Sequence, residues 1–286
     1  MKILPLAGAA VVAVACAHAA ERRIDPTFLR RSLSQVAEQA TDLGSQGVHY
    51  KPVFGAGDPD ATIAKGLARY GELTVDPGGA TRPVARPAEE QVWVALEGSA
   101  TLDYGGQSHP LRRGDFLYLA PGVRHGVTNT AAARCRIVIM GFRLREAAPA
   151  DAPPKLLIAN LDQVKKQVVG NHPPSTLYQL MIGDQKSTRD ALAAARVLTS
   201  LFVMEFAPGG TNAPHHHETE EEAYLVLDGE GEMAAGSGAD GVMGRYPTRT
   251  GDAWLFRLNC TMGFYGSATG TAHVLAARWL FPFPRR

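Results

Sequence analysis

Residues 209–229 read GGTNAPHHHETEEEAYLVLDG, a run in which several metal-ligand residue types fall at a spacing that β-strands can use. Side chains on a strand alternate faces. Along Pro214-His215-His216-His217 the imidazoles of His215 and His217 therefore point one way and that of His216 the other. After a short acidic turn, residues 222–227 read as a second strand, and its first residue, Glu222, returns to the same face with Tyr224 and Val226 behind it. Two neutral imidazoles and one carboxylate around a point suit a divalent first-row metal, and with positions left open they form the set used for non-haem Fe(II) oxygen chemistry. Pro208-Gly209-Gly210 before the ligands and Gly229-Glu230-Gly231 after them, the latter expected as a hairpin turn, complete the outline of a metal-binding β-barrel.

The order Gly209, five residues, His215-x-His217, four residues, Glu222, six residues, Gly229 resembles the first motif of the cupin superfamily. That resemblance implies an all-β fold of the double-stranded β-helix or jelly-roll type with a metal inside the barrel. It implies almost nothing about reaction, because cupins include decarboxylases, dioxygenases, isomerases, lyases and plain binding proteins, and function must be argued from the site.

An internal repeat extends the reading upstream. Asp76-Pro77-Gly78-Gly79 corresponds to Ala207-Pro208-Gly209-Gly210, Pro83 to Pro214, Trp93 to Tyr224 and Gly98 to Gly229, all at one offset. Gly114-Asp115 then corresponds to Gly251-Asp252, and residues 133–138 to 270–275, with extra residues in the second copy around 234–244. Two tandem barrels, a bicupin, are expected: residues 61–146 as a degenerate first barrel, 147–154 as a Pro/Ala-rich linker, and 155–286 as the metal-binding second barrel. In the first copy Val84, Arg86 and Gln91 stand where His215, His217 and Glu222 stand in the second. Valine offers no ligand atom and arginine brings its own charge, so the first barrel is expected to be metal-free. His125 closes a well-matched second cupin motif there. In the second copy Leu258-Asn259 replaces Pro-Gly and Met262 replaces the histidine.

Residues 1–19 carry one Lys, an apolar run over 3–15 and Ala17-His18-Ala19, which resembles a secretory signal peptide cleaved near Ala19-Ala20. Lipid on Cys16 is the alternative. The apolar run is too short for a permanent membrane span, and the protein is expected to be secreted or periplasmic. Residues 20–60 read as an N-terminal arm: Asp25-Pro26 fits a helix start, and Phe28, Leu29, Leu33, Val36, Ala37 and Ala40 fall at helical spacing, predicting a short helix or an arm packed on a barrel. A formal net charge of +1, with no basic stripe, gives no reason to expect nucleic acid. Cys135 and Cys260 fall in different copies and are expected to be buried thiols.

The cofactor expected is one divalent transition metal, Fe, Mn, Cu or Zn. Its fourth protein position is open among water, the Met262 thioether, which would favour copper, and His273 from the last strand. Tyr224, Met262 and Phe264 have the parity to face inward. Tyr224 is the candidate catalytic side chain, and Arg257 and Phe264 are the candidate substrate contacts, with Arg278 as a second cation. An ion with one carboxylate leaves a local charge near +1, which favours a small oxygenated or anionic partner. The leading expectation is a metal-dependent enzyme, dioxygenase-type oxidoreductase first, with lyase, isomerase or hydrolase chemistry close behind. The alternative is a non-catalytic protein that binds a sugar, a small acid or the metal. The two barrels are expected to pair with each other within the chain, and homo-oligomers are a further expectation.

Overall fold

The computed structural model describes residues 25–148, 154–237 and 243–280. The expected signal peptide and most of the expected linker lie outside them. Strand β1 (Phe28–Ser32) precedes the first copy: β2 (Val48–Gly55), β3 (Leu67–Val75), β4 (Glu89–Glu97), β5 (Ser99–Tyr104), β6 (Gln107–Arg112), β7 (Asp115–Leu119), β8 (His125–Thr128) and β9 (Cys135–Arg143). Then come β10 (Leu157–Asn160), one 3-10 turn at Leu161–Gln163, and the second copy. Its strands are β11 (Thr176–Asp184), β12 (Leu192–Ala195), β13 (Leu198–Phe206), β14 (Glu220–Asp228), β15 (Glu230–Gly236), β16 (Met243–Arg249), β17 (Asp252–Phe256), β18 (Thr261–Gly266) and β19 (Ala272–Leu280).

Each copy closes a large sheet over a three-stranded one. The orders are β10-β7-β4-β9-β3-β2 with β6-β5-β8, and β1-β17-β14-β19-β13-β11-β12 with β16-β15-β18. The large sheets face each other, which explains why their strands read as unbroken apolar runs rather than alternating ones. On β14, Ala223 and Leu225 join the core shared by the two barrels, and Tyr224 and Val226 enter the core of their own barrel. On β4, Val92 and Val94 take the shared face, and Trp93 and Ala95 the inner one. The intramolecular pairing of barrels is thus built into the strand period.

Gly229 is not a hairpin turn. It is the corner at which β14 leaves the large sheet and β15 enters the small one. Its φ is +83°, and a Cβ there would meet the Thr271 carbonyl oxygen at 2.6 Å, so no other residue fits without moving backbone.

Of the short helix and the packed arm that the spacing allows, the segment is the arm, in the form of a strand. β1 pairs antiparallel with β17 of the second barrel, with Phe28 opposite Phe256. Phe28 packs on Tyr246 and Trp254, and Leu29 turns to the shared core, so period 2 replaces the helical period. The open edge of β17 needed backbone partners, and a strand supplies them. β10 does the same for the first barrel, pairing with β7. The strand before each barrel therefore completes the other. The first sheet also begins at Val48, upstream of the expected boundary at 61. Leu161–Gln163 form one 3-10 turn, and Leu192–Ala195 form a strand parallel to β11.

Cys135 and Cys260 are both buried and are not joined. Among the described residues no helix is long and apolar enough to cross a membrane.

Candidate metal centre

His215, His217 and Glu222 each offer a ligand atom, and these atoms lie within 4.8 Å of one another; among the described residues no other group of three does this. The two histidines do not sit on a regular strand. Ala213 takes a φ of 52°, a conformation uncommon for a residue with a Cβ. The chain then bends, and His215 is held by a single bridge to Met262, with reciprocal backbone bonds of 2.9 and 2.8 Å. Asn259 donates its N–H to the His217 carbonyl at 2.8 Å. The alternation survives the irregularity: His216 is exposed while its neighbours turn inward.

Two observations fit a bound cation. The Nε2 of His217 and an Oε of Glu222 are 2.9 Å apart, yet both are buried without a hydrogen-bond partner: they are close enough for an ion pair but lack hydrogen-bonding angles. Two lone-pair atoms that converge without bonding each other are arranged for a third body between them. His215 pairs its Nδ1 with the Ala213 carbonyl at 2.9 Å, which puts the proton on Nδ1 and leaves Nε2 as a ligand. Burial pulls the His215 imidazolium below its usual pKa, which keeps the ring neutral as a ligand must be.

The triad opens on a cavity of about 90 Å³ whose lining includes His172, Tyr178, Arg189, Ser200, Asn212 and Arg278. Tyr224 also lines it; its hydroxyl accepts from Asn212 Nδ2 at 3.0 Å, and burial, then the Glu222 charge, holds the phenol well above its usual pKa. Asn212 is the hub. Its Oδ1 accepts the Phe264 N–H at 2.7 Å and its carbonyl accepts His172 Nδ1 at 2.5 Å. His172 thereby stands edge-on to His215, with ring centroids 5.3 Å apart. A larger open groove of about 1150 Å³ lies along β1, but it holds no ligand cluster, and Arg30 and Arg31 in its wall are paired with Asp252 and Asp58.

Several expected site residues are elsewhere. His273 is on the other face of β19, with the parity of Leu275 and Ala277, and bridges Glu205 and Asp228 at 2.9 Å each, so it is not a metal ligand here. Arg257 has the parity of Leu255 and turns away from the barrel interior to the Pro26 carbonyl and Asp25; it is not a substrate contact. Phe264 does face inward, but it packs on Phe206 at 4.6 Å as core and does not line the cavity. Met262 lies opposite His215 and is fully buried, yet the methionine that lines the cavity is Met204. Arg278 shares the inward parity of Ala276 and reaches the site.

His172, Tyr178, Arg189, Ser200 and Asn212 were not expected from the sequence. Tyr178 had a signal: Tyr50 is the same residue of the first copy, and both hydroxyls are buried without partners. In the first barrel Arg86 pairs with Asp42 at 2.6 Å, and Gln91 bonds Glu89 and Trp93. His125 bonds the Val123 carbonyl at 2.8 Å, and burial lowers its pKa to about 4. No ligand set remains there.

The sequence matches the Cupin_2 family, cupin domain, over residues 71–141 and 202–277. The chain belongs to the cupin family. Both matched segments fall in the two barrels, so the chain is a bicupin. It is 33% identical over 97 residues to the HTH-type transcriptional regulator PuuR of Escherichia coli, covering 34% of this chain and 49% of that protein. It thus spans about half the length of the curated relatives it matches. The described residues contain no α-helix, so the helix-turn-helix in that regulator's name is not among them. By structure, the bicupin is similar to a Pseudomonas aeruginosa protein named for induction by glyoxylate, with a TM-score of 0.72, 15% identity and 94% of each chain covered. It is also similar to Bacillus subtilis oxalate decarboxylase, described with Mn(II) centres, with a TM-score of 0.65, 12% identity, and 90% of this chain and 78% of that one covered. At these identities the likeness is one of fold.

Proposed function

We propose that this bicupin is a metal-dependent enzyme that works on a small oxygen-rich anion in its second barrel, with His215, His217 and Glu222 holding the ion. The observation that carries this reading is the unbonded 2.9 Å approach of His217 Nε2 and the Glu222 carboxylate. A divalent ion held there supplies Lewis acidity, or oxygen activation when it is iron. The chain supplies the rest. Asn212 holds the Tyr224 phenol, which stays protonated in its apolar surroundings, and Tyr178, Phe202 and Met204 limit water around the reacting molecule.

Dioxygenase-type chemistry stands first, because three protein ligands leave room for substrate and O2 together. Manganese and a non-redox carbon–carbon cleavage stand second, supported by the oxalate decarboxylase likeness in fold. A binding protein without turnover is the contrasting reading, favoured by Met262 in place of the second-motif histidine. Oxygen uptake and product formation from short hydroxy and keto acids by the iron- or manganese-loaded protein test the enzyme reading; tight binding with no product from either ion contradicts it. Export of the mature chain is part of the proposal, supported by the pattern of residues 1–19, and N-terminal sequencing of the periplasmic or secreted protein tests it.

A further inference from the structure

The wall of the cavity facing the triad carries two side chains whose donors no other described protein group takes up. Arg278 uses its Nε on Glu220 at 3.2 Å and on Thr199 Oγ1 at 3.4 Å, and its two Nη groups have no partner among the described residues. The Tyr178 hydroxyl is buried, also without a partner. Both side chains line the same small cavity as His215, His217 and Glu222. A phenolic hydroxyl is a donor at neutral pH.

A buried donor such as the Tyr178 hydroxyl is seldom left unsatisfied, and the partly exposed Arg278 fork is the kind of side chain best matched to a carboxylate. The cavity volume of about 90 Å³ limits what can meet it. A void needs about 10–15 Å³ of such volume for each water-sized group, so the space holds on the order of six to nine non-hydrogen atoms. Charge points the same way. A divalent ion with one carboxylate leaves about one positive charge, and Arg278 adds another, which Glu220 partly offsets from the Nε side.

We infer that the ligand of this site is a two- or three-carbon carboxylate bearing an oxygen donor on the adjacent carbon, with Arg278 and Tyr178 reading the carboxylate. The inference rests on the metal-site reading given above. It makes Arg278 and Tyr178 the specificity-determining residues of the second barrel. In the first barrel the counterpart of Arg278 is Gly141, and the space is taken instead by the Arg69–Glu89 ion pair at 2.9 Å.

The test is calorimetric binding of glycolate, its neutral analogue glycolamide and the six-carbon diacid adipate to the manganese-loaded bicupin and to Arg278→Gln and Tyr178→Phe. Metal content and thermal midpoint are measured on every sample. The expected result is binding of glycolate alone, weakened tenfold or more in Arg278→Gln and severalfold in Tyr178→Phe, with metal content unchanged. Equal binding of glycolamide or adipate overturns the inference, as does glycolate affinity within twofold of wild type in both variants. If Arg278→Gln does not fold, Tyr178→Phe decides alone. Absence of manganese from the wild type, by contrast, is a failure of the metal-site reading and is recognised as such before any ligand is added.

Discussion

Glu90 and Glu221 occupy the same position in the two copies, and each reaches out of its own barrel to bond the backbone of the other. Glu90 accepts from the N–H groups of Arg196, Val197 and Leu198 at 2.6 to 2.8 Å, just before β13. Glu221 accepts from Gly66 at 3.0 Å, just before β3, and from the Trp279 indole at 3.1 Å. Both carboxylates are fully buried. Gly66 lets this happen, since a Cβ there would meet the Trp279 indole nitrogen at 2.5 Å. Glu221 is also the chain neighbour of Glu222, so the first barrel anchors the strand that carries the proposed metal ligand.

Removing either clasp leaves buried N–H groups unsatisfied. Glu90→Ala and Glu221→Ala should each cost about 1–3 kcal/mol, measured by urea unfolding. Glu221→Ala should also weaken metal binding, read by competition with a chelating dye, while Glu90→Ala should not.

His273 should matter for stability and not for metal. Burial pulls its pKa down, but the bonded carboxylates of Asp228 and Glu205 outweigh this and leave it above the ordinary histidine value of 6.5. A raised folded-state pKa means that the stabilisation is fully present below pH 6.5 and is lost as pH rises through the folded value. His273→Ala should therefore lower the thermal midpoint at pH 5.5, by about 1–3 °C for a partly exposed pair, and leave it nearly unchanged at pH 9. Metal content should equal that of wild type at both.

Gly229→Ala should be among the more damaging single changes outside the site. It forces a Cβ into the left-handed region and against the Thr271 carbonyl, a cost on the order of 2 kcal/mol or more. Circular dichroism melts would show it as a lower midpoint with the same strand content. Gly78→Ala is the control, since it shares a positive φ of +77° but meets nothing within 4 Å.

The barrels and the clustering of His215, His217 and Glu222 were legible because both depend on local period. Strand alternation put His215, His217 and Glu222 on one side, and repeated Pro-Gly-Gly and Gly-Asp landmarks marked the two copies. Of the two readings of the N-terminal segment, the arm and not the helix is found; Phe28, Leu29, Leu33 and Val36 satisfy a helical template, while the deciding partner, the edge of β17, is more than two hundred residues away. His273 and Arg257 failed on parity, since each shares the face of the residues that pack between the barrels and not of those inside. Phe264 has the right parity, but depth along a barrel is not encoded in alternation. His172 had no local signal, because the segment before β11 brings it to Asn212 and His215; Asn212 stands three residues before His215, but its role depends on its distant partners Tyr224 and Phe264.

Asn212→Ala tests that arrangement. It strands the Tyr224 hydroxyl and the Phe264 N–H, a loss of about 1–3 kcal/mol, yet it leaves all three ligands in place. Unfolding should become easier, with one ion per chain still bound.

The central claim is that His215, His217 and Glu222 together hold one metal ion. Elemental analysis of protein purified from its native compartment, beside His217→Ala and Glu222→Ala, tests it most directly. About one divalent transition-metal ion per chain is expected in the wild type and little in either variant. A wild type that carries no metal and takes up none on reconstitution, or variants that retain the full complement, would contradict it.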